Sequence, residues 1–238
     1  PSGWMLALST GSTRYAGALF SVALDGSAAR AGVFGTTLNA SSVALTGLVR
    51  TAGGFVLLES SSDRSARGMF SRAVSSDGTR VDGASTAALP LSPDANTLAT
   101  TAAVSLGAGA LVGLSYGLFA PPSPTDSDAW TLALDGAGRP VASPARISDR
   151  PPAQQSPSLV FDGTNYIAAW QSDASGVSRV YVSRLAPSGA ALDAAPLPVS
   201  TVAPSATQQR PRLAWNGRHA LVVWLESSGG PTGFDVAA

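Results

Sequence analysis

The sequence predicts an all-β chain built from a repeated, four-stranded antiparallel meander, the architecture of β-propeller blades. Three observations carry this reading: an internal repeat without gaps, short alternating apolar runs with no helical period, and Gly-containing turns between them. PSLVFDGTNYIAAW (157–170) lies over PRLAWNGRHALVVW (211–224) so that Pro157 meets Pro211, Leu159 meets Leu213, Gly163 meets Gly217 and Trp170 meets Trp224. The match extends upstream to Gln154 and Gln155 over Gln208 and Gln209, and the period of 54 residues is in the range of propeller blades.

Each element follows from its local pattern. SLVFDG and NYIAAW are short apolar runs joined by an Asp-Gly turn, and the sister copy has Asn-Gly at the same place. Such pairs accept positive φ and close tight hairpins with the twist that antiparallel strands need, so each unit opens with strands a and b. Strand c is read from RVYVSRLAPSG (179–189), GMFSRAVSSDG (68–78), DAWTLALDGAG (128–138) and ALFSVALDG (18–26), which alternate large and polar residues. An aromatic recurs there at Phe20, Phe70, Trp130, Tyr181 and Phe234. Stretches such as ALDAAPLPVS supply strand d.

The earlier copies keep step. Strand b recurs as WMLAL (4–8), FVLLE (55–59) and ALVGLSY (110–116), and strand a as ALTGLVR (44–50) and AAVSL (102–106). Gly, Pro and Ser clusters between the runs would break helices. Five repeats result, at approximately 1–37, 38–91, 92–148, 149–200 and 201–238, in one propeller domain or part of one. The first copy starts at strand b and the last stops in strand c, so the expected strand numbers are three, four, four, four and three. This fits a five-bladed ring incomplete at its seam or, preferably, a section of a larger propeller. A β-sandwich is the alternative; it accounts for many strands but gives no reason for a repeat in register.

The pattern P-x-L-x-x-[DN]-G-x-x-x-[LI]-x-x-W, followed by an aromatic-led third strand and a D-G turn, resembles the degenerate propeller repeats of large secreted or surface proteins of myxobacteria and related high-GC bacteria. The resemblance covers nearly the whole chain and is most specific in the last two copies. It implies extracellular display. Ala, Gly, Ser and Pro dominate the sequence and every basic side chain apart from His219 is Arg, which is the residue usage of a GC-rich genome.

Composition excludes several function classes. Fifteen basic and fifteen acidic side chains cancel, so no net field draws in nucleic acid or an anionic membrane. The chain has no Cys and hence no disulfide, thiolate metal site or Cys nucleophile. It has no Lys, which rules out a Walker motif. No apolar run is long enough for a membrane-spanning helix, and no basic-then-apolar signal segment opens the chain. Since the first residue is Pro1, the chain is expected to be processed or excised from something longer.

In a propeller the b-to-c loops and d-to-a crossings share one face, and function concentrates on loops held by a rigid scaffold. Here that face receives the long polar stretches 9–17, 59–68, 116–129, 171–178 and 226–233. Gln154, Gln155, Gln208, Gln209, Arg210 and Arg212 precede strand a, where amide and guanidinium groups could bind sugar hydroxyls or a carboxylate. The competing reading is that paired Gln side chains bridge neighbouring blades. Glu59, Asp63, Asp173 and Glu226 lie at or after the ends of strand b and offer carboxylates for glycoside hydrolysis, although the inner strands carry no acid. The Asp-rich PTDSDA (124–129) lacks the spacing of a twelve-residue calcium loop.

His219 is the single histidine, has Asn165 as its counterpart and belongs to a turn, and no G-x-S-x-G elbow accompanies it. Trp130, Trp170, Trp215, Trp224 and Phe161 could form a stacking platform for sugars but are better read as packing between blades. The expectation is therefore a non-catalytic extracellular binding module, with a glycan or protein partner on the loop-rich face and no cofactor, metal or assigned catalytic residue. The alternatives are a carbohydrate-active propeller hydrolase and a structural spacer in a long surface protein.

Overall fold

A computed structural model describes residues 3–10, 16–23, 25–35, 43–61, 63, 67–82, 86–90, 97–105, 107–117, 128–147, 153–173, 176–199, 206–227 and 233–238. The described elements are all strands, and they form five antiparallel sheets in chain order. The first holds β1 (Gly3–Thr10), β2 (Ala16–Ala23) and β3 (Ala28–Gly35). The second holds β4 (Val43–Thr51), β5 (Gly54–Ser61), β6 (Gly68–Val74) and β7 (Thr86–Pro90). The third holds β8 (Thr97–Ser105), β9 (Ala110–Gly117), β10 (Asp128–Leu134) and β11 (Ala145–Arg146). The fourth holds β12 (Gln154–Phe161), β13 (Tyr166–Ser172), β14 (Arg179–Leu185) and β15 (Leu197–Pro198), and the fifth β16 (Thr207–Trp215), β17 (Ala220–Ser227) and β18 (Asp235–Ala237). Each strand pairs with its chain neighbour, so every sheet is a meander.

Turn chemistry closes the hairpins. Asp162 Oδ1 accepts the backbone N–H groups of Thr164 and Asn165, and Asn216 Oδ1 accepts those of Arg218 and His219. Gly163 and Gly217 take positive φ beside them. The two N–H bonds, Asn165 first, hold the Asp162 carboxyl below its ordinary value. His219 is an exposed residue at this turn. The sequence expectation for the third-strand aromatic holds at Tyr181, opposite Trp170, and at Phe70, opposite Glu59. It fails in the last copy: Phe234 precedes β18 and is exposed, and Ala237 stands opposite Trp224.

The chain divides into two compact units. The first comprises Pro1–Asp94, Ser105–Ala110 and Leu134–Val141. Leu19, Phe34, Leu57 and Val74 form its core, with Met5, Leu45, Phe55 and Val81 packed around them. Its sheets interlock through turns: the Ser71 hydroxyl donates to the Gly138 carbonyl at 2.7 Å, and a β-carbon added at Gly78 would stand 2.6 Å from Met5 Cε.

The second unit comprises Ala95–Val104, Leu111–Ala133 and Ala142–Ala238. It buries Leu111, Leu114, Leu132, Tyr166, Trp170, Leu185 and Trp224. Trp170 stacks on Tyr181 with ring centroids 6.4 Å apart, so these aromatics serve packing. Trp130, Trp215 and Phe161 are partly exposed. Burial raises the Tyr166 phenol above its ordinary pKa. Thr131 donates to the Gly189 carbonyl at 3.0 Å, repeating the Ser71 device. No helix among the described residues is long and apolar enough to cross a membrane.

Candidate functional site

The Gln and Arg residues expected to precede strand a lie within it, in β12 and β16, because those strands begin at Gln154 and Thr207, and they fall into two groups. Successive side chains of a strand point to opposite faces. Gln154 and Gln208 are accordingly buried, Gln155 is exposed and Gln209 half-buried. Gln208 is used at both ends: its Oε1 accepts the Val180 N–H at 3.2 Å, and its Nε2 donates to Glu226 Oε2 at 2.8 Å. The backbone N–H of Gln208 also donates to the Ser178 carbonyl at 2.8 Å, which ties β16 to the start of β14. The first Gln of each pair is thus part of the scaffold in its geometry, and Gln155, Gln209, Arg210 and Arg212 are the members that reach solvent.

A β-bulge explains how those residues are presented. The ladder slips between Gln155 and Ser158 in β12, and between Gln209 and Arg212 in β16. At the two equivalent positions Ser156 has φ 55° and Arg210 has φ 53°, a left-handed backbone that non-glycine residues seldom adopt. Each is held there by a side chain from the preceding sheet. The Ser156 N–H donates to Ser115 Oγ at 3.1 Å, and the Arg210 N–H donates to Gln171 Oε1 at 2.9 Å. Arg210 is exposed, and Arg212, also exposed, donates from Nη1 to the Pro211 carbonyl. Backbone strain of this kind persists only where the surroundings enforce it.

The four candidate carboxylates are separated by environment. In the first unit Glu59 is fully buried and pairs with Arg72 Nη2 at 2.8 Å. Arg72 also donates to the Gly35 carbonyl at 2.9 Å and lies 5.3 Å from the Phe34 ring centre. Glu59 is therefore a sealed structural ion pair. Asp63 is half-buried, with its own N–H donating to Ser61 Oγ.

In the second unit Asp173 is exposed, and its carbonyl accepts the Gly176 N–H. Glu226 is half-buried, and its Oε2 accepts from Gln208 Nε2 and, at 3.1 Å, from Trp224 Nε1. Directly opposite Glu226 on β18 is Asp235. Opposed residues of an antiparallel pair share one side of the sheet with β-carbons about 5 Å apart, so two carboxylates face each other there.

Sequence inspection missed Asp235, because its partnership depends on the register of a three-residue strand. The Trp224 contact was visible in principle, two positions before Glu226 on the same strand face. Of the long polar stretches, residues 11–15, 62, 64–66, 118–127, 174–175 and 228–232 lie outside the described residues, so PTDSDA is described only at Asp128 and Ala129. Asp128 pairs with Arg146 at 3.2 Å. No group of three metal-ligating side chains occurs among the described residues.

No family model matches this sequence, and no curated protein matches it either. Solved structures match by fold. A thermostable family-43 glycoside hydrolase aligns with TM-score 0.53 and 9% identity over 95% of this chain and 84% of that one. An endo-arabinase from Bacteroides thetaiotaomicron aligns with TM-score 0.52 and 11% identity, over 99% and 88% of the two chains. A puromycin hydrolase mutant reaches TM-score 0.58 and 16% identity, over 93% of this chain and 34% of that one. The chain thus has an all-β fold of the propeller kind. These likenesses also correct the expectation of a non-catalytic extracellular binding module: the fold is shared with enzymes, glycoside hydrolases prominent among them.

Proposed function

We propose that this chain is a carbohydrate-active propeller hydrolase whose working carboxylates are Glu226 and Asp235. The observation that carries the reading is their position opposite one another on β17 and β18. Glycoside hydrolysis commonly uses two carboxyl groups flanking the scissile bond, one to protonate the leaving oxygen and one to attack or to activate water. Glu226 is the better-oriented member. Gln208 and Trp224 fix one of its oxygens, while the other makes no hydrogen bond among the described residues and is left for a proton and a substrate oxygen. Asp235 is exposed and can be reached by water.

Gln155 and Arg210 present an amide and a guanidinium to solvent on β12 and β16, groups of a kind that bind hydroxyls and ring oxygens, while Gln209 and Arg212, opposite Leu225 and Val223, lie on the other side of the fifth sheet from Glu226 and Asp235. Fold neighbours named as a family-43 glycoside hydrolase and an endo-arabinase support a glycan substrate. In this reading the five sheets are consecutive blades of one propeller, or of a section of a larger one, and the protein acts outside the cell.

The test is reducing-sugar release from a panel of plant and bacterial polysaccharides, including arabinan. Glu226→Gln and Asp235→Asn should each lower turnover by about 10²-fold or more, the usual contribution of a positioned acid or base, with melting temperature unchanged. Absence of hydrolysis across the panel, or activity surviving both substitutions, overturns the assignment.

A further inference from the structure

We infer that the first unit carries a second ligand site, on the turn side of its first two sheets, for a small zwitterion with an apolar body, of which a free apolar dipeptide is the simplest example. The site is a cleft of about 750 Å³. That volume falls within the range of pre-formed small-molecule sites, which are mostly apolar with a few placed polar groups. Its origin is legible in the residues. The wall from the first sheet comes from the stretch SVALDGSAA, whose lining members Ala23, Ala28 and Ala29 are too small to fill the gap, and Met5 and Phe55 supply the larger apolar surfaces.

Two charges of opposite sign line the cleft, and they do not neutralise one another. Arg50, exposed at the end of β4, makes no hydrogen bond or ion pair among the described residues. Its planar fork suits a carboxylate. Asp77 is held as an anion by its own turn: Oδ1 accepts from Ser75 Oγ, the Thr79 N–H and Thr79 Oγ1. All three bonds fall on Oδ1, so the second oxygen is left to face an ammonium group. Both come from the second sheet, Arg50 from β4 and Asp77 from the turn after β6, so a ligand with a single charge satisfies one of them and leaves the other unmatched. A carboxylate and an ammonium separated by an apolar body satisfy both.

The experiment uses the dipeptide Leu-Phe, its N-acetyl derivative and its C-terminal amide as calorimetric probes of the whole chain. The free dipeptide should bind with a stoichiometry of one and more tightly than either blocked form. Arg50→Gln should weaken the free and acetylated forms by roughly tenfold and leave the amide unchanged, since a charge-assisted hydrogen bond is worth about 1.5 kcal/mol or more. Asp77→Asn should weaken the free form and the amide and leave the acetylated form unchanged. Ala28→Trp should abolish binding of all three by occupying the cleft. Failure of all three probes to bind, or affinities that neither charge substitution changes, overturns the site. The result is independent of glycan hydrolysis, since Glu226 and Asp235 belong to the other unit.

Discussion

The chain contains two glutamates, and each sits in the same tetrapeptide, Leu-Glu-Ser-Ser, at 58–61 and at 225–228. Both lie near the end of the second-in-chain long strand of their hairpin, β5 and β17. Yet Glu59 is fully buried beneath Arg72, and Glu226 is half-open with Gln208 and Trp224 on one oxygen. The difference comes from the strand across the ladder. Opposite Glu59 is Phe70, and two residues on is the cation Arg72; opposite Glu226 is Asp235. One acid is neutralised inside the protein, and the other is placed beside a second acid at the surface. The local sequence of an acid therefore says little about its role until its cross-strand partners are known.

The largest effect should come from breaking the sealed pair. Arg72→Met removes the cation paired with Glu59 and leaves that carboxylate in a fully buried position. Removing one member of a buried pair costs about 3–5 kcal/mol, because the remaining charge is uncompensated. Chemical denaturation should show that loss, and the double change Arg72→Met with Glu59→Leu should recover most of it. By contrast Glu226→Gln keeps the hydrogen-bonding outline of a half-exposed group and should shift stability by less than about 1 kcal/mol. Equal destabilisation by Arg72→Met and Glu226→Gln would mean that the two glutamates do the same structural work.

Much of the fold was legible because its signals are local. The Asp162-Gly163 and Asn216-Gly217 turns, the alternation of β14 and the repeat spacing all come from neighbouring residues, and the strands read from them match β12, β13, β16 and β17. Strand d was legible only as a region: the stretch ALDAAPLPVS at 191–200 reduces to β15 at Leu197–Pro198 with a bridge from Leu185 to Ala191. Prolines there lack the N–H that a longer ladder needs.

The site was legible in composition but not in arrangement. Four exposed or half-exposed polar residues, Gln155, Gln209, Arg210 and Arg212, were identified, but so were Gln154 and Gln208, which point inward. A one-residue offset decides between the two faces, and a bulge that displaces Ser156 and Arg210 from the ladder cannot be counted from sequence alone.

A smaller contrast separates glycines of similar backbone conformation. Gly138 has φ 83° and Gly163 has φ 104°, so alanine is strained at either. Their surroundings differ: a β-carbon at Gly138 would stand 2.7 Å from Ser71 Oγ, whereas at Gly163 it would meet nothing within 4 Å. Gly163→Ala should therefore cost about 1 kcal/mol, from backbone strain alone. Gly138→Ala should cost roughly 1–3 kcal/mol more, because it also pushes apart the turn and β6. Equilibrium unfolding of the two variants measures the difference, and equal losses would show that the Ser71 contact to Gly138 yields freely.

The smallest effect concerns pH and the turn aspartates. Hydrogen bonds from Ser75 Oγ, the Thr79 N–H and Thr79 Oγ1 lower the Asp77 carboxyl to about 2. Its pKa is depressed on folding, so its stabilising contribution is present above the ordinary value of 3.8 and is lost as pH falls toward 2. The group is fully exposed, and solvent screening keeps the contribution modest. Melting temperature should fall between about pH 4 and pH 2 in the parent protein. Asp77→Asn should flatten part of that fall, since the amide keeps an acceptor for the turn but has no proton to gain. Asp162, held low by the Asn165 and Thr164 N–H groups in the second unit, should contribute in the same direction. If Asp77→Asn and Asp162→Asn both leave the acid limb unchanged, it must come from another carboxylate, and Asp193, held low by its hydrogen bonds from the Arg184 side chain, becomes the group to substitute.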